Sequence, residues 1–278
     1  MEYNEGQLGI PNYGPWYIDA LPTQDKIQEM NRIHSFINAV IYLDDIKEFK
    51  GRKDIEFINY GSNQLIYVLT INGISRYTLV VNQPSMKPHS GELEFNNLRD
   101  LSKTNSNVIQ PLYYFVDERN PSLELYITKY EYQSRCIGVD TTKWGMWIPE
   151  PYYHFLNFHD IEKNVVASNM IALLIKFYDE NKNLGIVNCK LDGGDFMLKK
   201  SYLGAGFTND NILNNLELIA SRKRITISLD EYINMLINEL TILTNEHIFL
   251  LRQLRTRITD DEVYKGVDIG LKLRKINR

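Results

Sequence analysis

The chain has 278 residues, 44% hydrophobic, 12% aromatic and 24% charged, a composition that excludes disordered, collagenous and membrane-embedded classes and predicts one or two packed domains. A formal charge of -4 is too mild for a dedicated nucleic-acid binder. Cys136 and Cys189 stand far apart without metal-ligand spacing, and no run of about 18 apolar residues occurs, so a cytoplasmic, reducing setting is expected, with no membrane span and no metal cluster.

In chain order, residues 1–22 read as an irregular arm with early acids and no apolar core, so no export signal is expected. Ile27, Met30, Ile33, Ile37, Val40 and Ile41 recur every three or four positions and predict an amphipathic helix over 24–42. Between Asp54 and Gln83 the period changes to two. The runs IEFINYG, QLIYVLTI and RYTLVVN, separated by GSN and NGIS, predict an antiparallel meander. After a Pro/Ser/Lys/His loop, Leu93, Leu98 and Leu101 predict a short helix over 91–103. VIQPLYYFVD and LELYITKYEY read as two further strands around the polar turn ERNPS.

Beyond Tyr132 the pattern is mostly helical. Trp144, Trp147, Tyr152 and Tyr153 beside Pro149 and Pro151 fit aromatic packing at a lobe boundary. Residues 160–181, 212–220 and 229–256 are predicted helices, and GIVNCKLDGGDFMLKKSYLGAGFTND holds two short apolar runs around Gly-rich turns. The expected parts are an N-terminal arm and helix (1–53), a sheet lobe (54–133), a helical lobe (134–256) and a basic C-terminal extension (257–278). Residues 252–278 carry eight basic and four acidic side chains, which suits an anionic partner or a solvated helix face. The abundance of Asn, Ile, Lys and Tyr is the bias of AT-rich coding, as in low-GC bacteria and phages.

Five strands with a helix after the third, a hinge-like strand, a long helix and a short strand–loop–strand resemble the protein-kinase-like fold, particularly its aminoglycoside-phosphotransferase branch. The resemblance implies an α+β, bilobal protein with a small antiparallel sheet lobe carrying one helix and a larger helical lobe. It is centred on GIVNCKLDGGDFML, residues 185–198. Against the family's loop H-G-D-L-x-x-x-N, Asn188 stands at the His, Lys190 at the catalytic Asp, Leu191 at the apolar position and Asp195 at the metal-binding Asn. A protonated ammonium at the base position cannot accept a hydroxyl proton. Lys190 is therefore expected to be structural, paired with Asp192 or Asp195.

The sheet lobe adds shorter signals. Gly61 alone holds the place of a Gly-rich phosphate loop, and a hairpin turn explains it equally well. Where the third strand should carry a phosphate-gripping Lys, Val80, Val81 or Asn82 stands, depending on register, and no lysine follows until Lys87. Glu94 resembles the helix Glu that pairs with that Lys; with no partner on the strand, a solvated helical Glu is the simpler expectation. Lys129, Tyr130 and Glu131 match the hinge, which makes Gly61, Glu94, Lys129 and Glu131 the residues for a nucleotide cleft. The second metal ligand falls at Gly206, and is lost, or at Asp210, which with Asp195 forms a hard-oxygen pair suited to magnesium. His34, His89, His154, His159 and His247 are scattered, with no triad or metal spacing, and Arg222, Lys223 and Arg224 read as a solvated basic knot.

The resemblance, with its missing groups, implies a catalytically deficient kinase-like protein, a pseudokinase, that binds or scaffolds within a larger assembly through a protein partner and needs no cofactor. Removing the phosphate Lys and the base together costs several powers of ten in rate. Two other readings stay open: an atypical nucleotide-dependent transferase reusing the cleft, with ATP and magnesium, and a non-catalytic nucleotide or small-molecule sensor.

Overall fold

Period-two alternation in residues 53–82 and 111–129 builds an antiparallel sheet. The computed structural model describes residues 23–60, 64–82, 90–130, 135–136, 160–181, 196–198, 216–218, 221, 226–239 and 245–257. Strands β1 (Lys53–Tyr60), β2 (Gln64–Ile71), β3 (Ser75–Asn82), β4 (Pro111–Asp117) and β5 (Asn120–Lys129) lie in the order β1-β2-β3-β5-β4. Helix α1 (Thr23–Ile41) precedes them, and α2 (Ser90–Ser102) is inserted between β3 and β4. At the β2–β3 turn Asn72 and Gly73 take φ of 52° and 72°, the left-handed geometry that an Asn-Gly pair supplies at low strain. The β4–β5 turn is tighter than the predicted ERNPS: Asp117 pairs with Asn120, and the strand runs on through Pro121.

Alternation sends Leu65, Tyr67, Leu69 and Ile71 of β2, Leu79 and Val81 of β3, and Leu123, Leu125 and Ile127 of β5 to one face. There they share a core with Met30, Ile33, Ile37, Val40 and Ile41, the apolar stripe of α1. One polar group interrupts this face: His34 on α1 has its Nε2 3.4 Å from the Tyr67 hydroxyl, and burial lowers its pKa to about 4. Every residue of β5 from Leu123 to Thr128 is buried, so this interior strand is covered on both faces.

The chain divides into two units. The first comprises α1, β1–β5 and α2 up to Phe95; the second takes α2 from Asn96 onward and the elements after Tyr130. In the second unit, α3 (Asp160–Asn181) is buried without interruption from Val165 to Ile175, which marks a central helix with no solvent stripe. A three-stranded sheet, β6 (Arg135–Cys136), β7 (Phe196–Leu198) and β8 (Leu216–Leu218), is extended by backbone bonds from Leu218 N to Asn107 O at 2.8 Å and from Ile109 N to Leu218 O at 2.9 Å.

Two sequence expectations need correction here. The helix predicted over 212–220 is strand at Leu216–Leu218, because pairing on both sides overrides local spacing. The helix predicted over 229–256 is two helices, α4 (Leu229–Glu239) and α5 (Asn245–Arg257). Helix α4 starts on a capping box: Glu231 N–H donates to Ser228 Oγ at 3.2 Å, and Ser228 N–H donates to Glu231 Oε2 at 2.7 Å. That backbone bond holds the Glu231 carboxyl below its usual range. Behind it Tyr232 stacks on Tyr178 with ring centroids 4.8 Å apart.

Candidate functional site

On the face opposite α1, three polar residues stand in a row across adjacent strands. Gln64 of β2 pairs in register with Asn82 of β3, and Asn82 with Glu124 of β5. Directly paired residues project to the same side of a sheet, so the three form one cross-strand band. All are buried, with Asn82 and Glu124 each 1% exposed. Buried polar groups have to be hydrogen-bonded to be tolerated, and these are. Gln64 Nε2 donates to Asn82 Oδ1 at 3.0 Å and to Glu94 Oε2 of α2 at 2.6 Å.

Glu94 is thus buried at 1% exposure, which corrects the expectation of a solvated helical Glu. The physical reason is an amide from β2 that the sequence reading left out. Gln64 supplies a hydrogen-bond donor to the carboxylate from a neighbouring strand. The register puts Val80 and Asn82 of β3 on this face and Val81 on the other. Val81 is in the α1 core, whereas Asn82 reaches Glu94 through Gln64.

Glu124 ties the first turn of α2 to the sheet. Gly91 N–H donates to its Oε2 at 2.9 Å, Glu92 N–H to its Oε1 at 3.2 Å, and the Tyr114 hydroxyl to Oε1 at 2.5 Å. These helix-terminal amides have no intrahelical acceptor and attract negative charge. Burial first, and then the bond to Glu124, push the Tyr114 phenol above its usual range, so near neutral pH it is a protonated donor. The close approach needs glycine. A Cβ on Gly91 would lie 2.4 Å from Asn82 Nδ2 and 3.2 Å from Glu124 Cβ.

Of the other cleft residues, Lys129 lies at the exposed end of β5, five positions from Glu124 and therefore on the opposite side of the sheet from Glu94. Gly61, Glu131, Asn188, Lys190, Asp192, Asp195, Gly206 and Asp210 lie outside the described residues, as do the Trp144/Trp147 cluster and Arg222, Lys223 and Arg224. The second strand of the hairpin that begins with β7 is Leu216–Leu218, downstream of both Gly206 and Asp210. Three residues after it, Ser221 is 2% exposed and receives the Asn97 amide on its carbonyl at 3.0 Å.

The sequence reading also missed a contact in the second unit. His247 Nε2 of α5 stands 2.9 Å from Ser168 Oγ of α3. Both are fully buried, at 0% exposure, so the pair links two helices and offers no surface to a substrate. Among the described residues no group of three His, Cys, Asp or Glu is placed to hold a metal, and no helix is long and apolar enough to cross a membrane.

A five-stranded antiparallel sheet with a helix between its third and fourth strands, together with a long buried helix and a short-stranded sheet, is an α+β arrangement consistent with the protein-kinase-like fold that the sequence resembles. No family model matches the sequence, and no curated protein matches it. Among solved structures the chain is similar to WaaP in complex with acyl carrier protein, with a TM-score of 0.44 and 11% identity over 82% of this chain and 89% of the other. It is also similar to an apo pseudokinase, with a TM-score of 0.41 and 11% identity over 80% of this chain and 90% of that one.

Proposed function

We propose that this kinase-like protein does not transfer phosphate and acts as a pseudokinase, a binding or scaffolding component with a protein partner in the cytoplasm. One observation carries the reading. Asn82, the β3 residue linked to Glu94, is a neutral amide locked between Gln64 and Ser90, with its Nδ2 3.4 Å from Ser90 Oγ. A phosphate clamp needs a cation free to reach the ligand, and an amide buried in this row provides neither charge nor reach.

The described part of the site does not fit a nucleotide polyphosphate. Glu94 and Glu124 present negative charge, and the helix-terminal amides that suit an anion already hold Glu124. Further support comes from the β7–β8 hairpin. A ligand supplied directly after its second strand falls within Ile219, Ala220 and Ser221, where no carboxylate stands. With Lys190 at the base position, the clamp, the base and one metal ligand are all replaced. The basic C-terminus is the segment we assign to an anionic surface on the partner.

Purified full-length chain incubated with labelled ATP and magnesium is expected to transfer no phosphate to itself, to generic proteins or to hydroxylated and aminated small molecules. Its melting temperature is expected not to rise with magnesium and ATP. Turnover that disappears in Asp195→Ala would establish an atypical transferase. Magnesium-dependent stabilisation by ATP without turnover, lost in Asp195→Ala and in Asp210→Ala, would establish a sensor instead.

A further inference from the structure

The geometry points to an oxyanion-binding site formed by Gly91 N–H, Glu92 N–H and the Tyr114 hydroxyl whose permanent occupant is Glu124 of the same chain. On this reading a built-in carboxylate, rather than a diffusible anion, docks α2 on the sheet. Three donors from two elements converge on the two oxygens of one side chain, at 2.9, 3.2 and 2.5 Å. Two of them are first-turn amides of a 13-residue helix, where negative charge is favoured. The third is a phenol held in its protonated, donating form by burial. The site is also shaped for close approach. The missing side chain of Gly91 brings the helix end onto Asn82 and Glu124, where any Cβ would collide.

The occupant is delivered by a strand that is paired on both sides and buried from Leu123 to Thr128. Glu124 lies between Leu123 and Leu125, both 0% exposed, and is paired with Asn82 on one side and Val116 on the other. A carboxylate fixed in this way acts at a high effective concentration and outcompetes free anions. Helix α2 is consequently docked with no ligand present, and phosphate or formate has nothing to add in the native chain. This inference does not rest on the loss of phosphoryl transfer. Detection of turnover would overturn that reading and leave this one intact.

The test is hydrogen exchange of the full-length chain, read at the amides of Gly91 and Glu92 against those of the β2–β3 ladder. In Glu124→Ala the first-turn amides are expected to exchange about tenfold faster, while the ladder amides keep their protection. Sodium formate at constant ionic strength is expected to restore that protection in the variant and to have no effect on the native chain. Formate acting no differently from chloride would overturn the proposal, as would unchanged exchange in Glu124→Ala. Should Glu124→Ala fail to fold, Glu124→Gln keeps the shape and removes the charge. Its first-turn amides are expected to exchange several-fold faster than in the native chain, and equal rates would overturn the proposal.

Discussion

The two faces of the five-stranded sheet are made by alternate residues of the same strands and are closed by different physics. Toward α1, nine aliphatic and aromatic side chains of β2, β3 and β5 meet an aliphatic stripe, and burial alone provides the attraction. Toward α2, Gln64, Asn82 and Glu124 meet Glu94 and two backbone amides, and each contact has a direction and a length. An apolar interface tolerates sliding and repacking, whereas a buried polar row is satisfied in one register only. The comparison teaches that α1 supplies stability and the α2 face supplies position. Here neutral amides and an internal carboxylate place the helix between β3 and β4.

The largest effect is expected from breaking the apolar face. Leu125→Ala removes a fully buried side chain from the α1 core and should destabilise the chain by about 2–5 kcal/mol, read as a fall in the denaturant midpoint. Because the loss is one of burial, exchange at Gly91 and Glu92 should accelerate only in step with global unfolding. Selective opening of α2 in this variant would show that the two faces are not separable.

A smaller and sharper effect is expected on the polar face. In open space, Gly91→Ala would stabilise a helix by up to about 1 kcal/mol, since alanine has the better propensity. The 2.4 Å approach to Asn82 Nδ2 reverses that sign, and a loss of about 1–3 kcal/mol is expected, with protection lost first at the start of α2. A stabilised Gly91→Ala protein would mean that the row yields as readily as the apolar core.

The legibility of the two faces follows the same division. The α1 face was readable because period 3.6 in the helix and period two in the strands are local patterns, and Met30 to Ile41 fell where the spacing placed them. The polar face was not, because register is a relation between distant segments. Glu94 was found by its place in the helix and then misassigned to solvent, and Asn82 was one of three choices. Gln64 and Glu124 were overlooked, although a Glu inside LELYITK, flanked by residues that must be buried, is itself a signal. Strand β8 was read as helix for a related reason. NILNNLEL spaces its leucines like a helix, and only pairing with β7 and with residues 107–109 makes it a strand. For the loop chemistry at Asn188, Lys190 and Asp195, sequence spacing and residue type remain the basis.

The smallest expected effect uses the one polar intrusion on the apolar face. His34 has a pKa lowered by burial to about 4 from the ordinary 6.5, so the folded chain favours its neutral form. Between these values the unfolded chain binds more protons than the folded one, and stability therefore falls with falling pH. The contribution is fully present above pH 6.5, declines as pH drops through the folded value near 4, and is constant below it. Between pH 7 and 5 it amounts to about 1–2 kcal/mol, allowing for the part of the ring that solvent reaches. Carboxylates elsewhere add their own acid dependence, so the informative quantity is the difference between the native chain and His34→Gln. Urea midpoints of the two proteins should converge as pH is lowered from 7 to 5, because only the native chain has an imidazole to charge. Parallel midpoints over that range would show that the imidazole next to Tyr67 is accommodated equally well in either protonation state, and that the apolar face is wetter there than its burial implies.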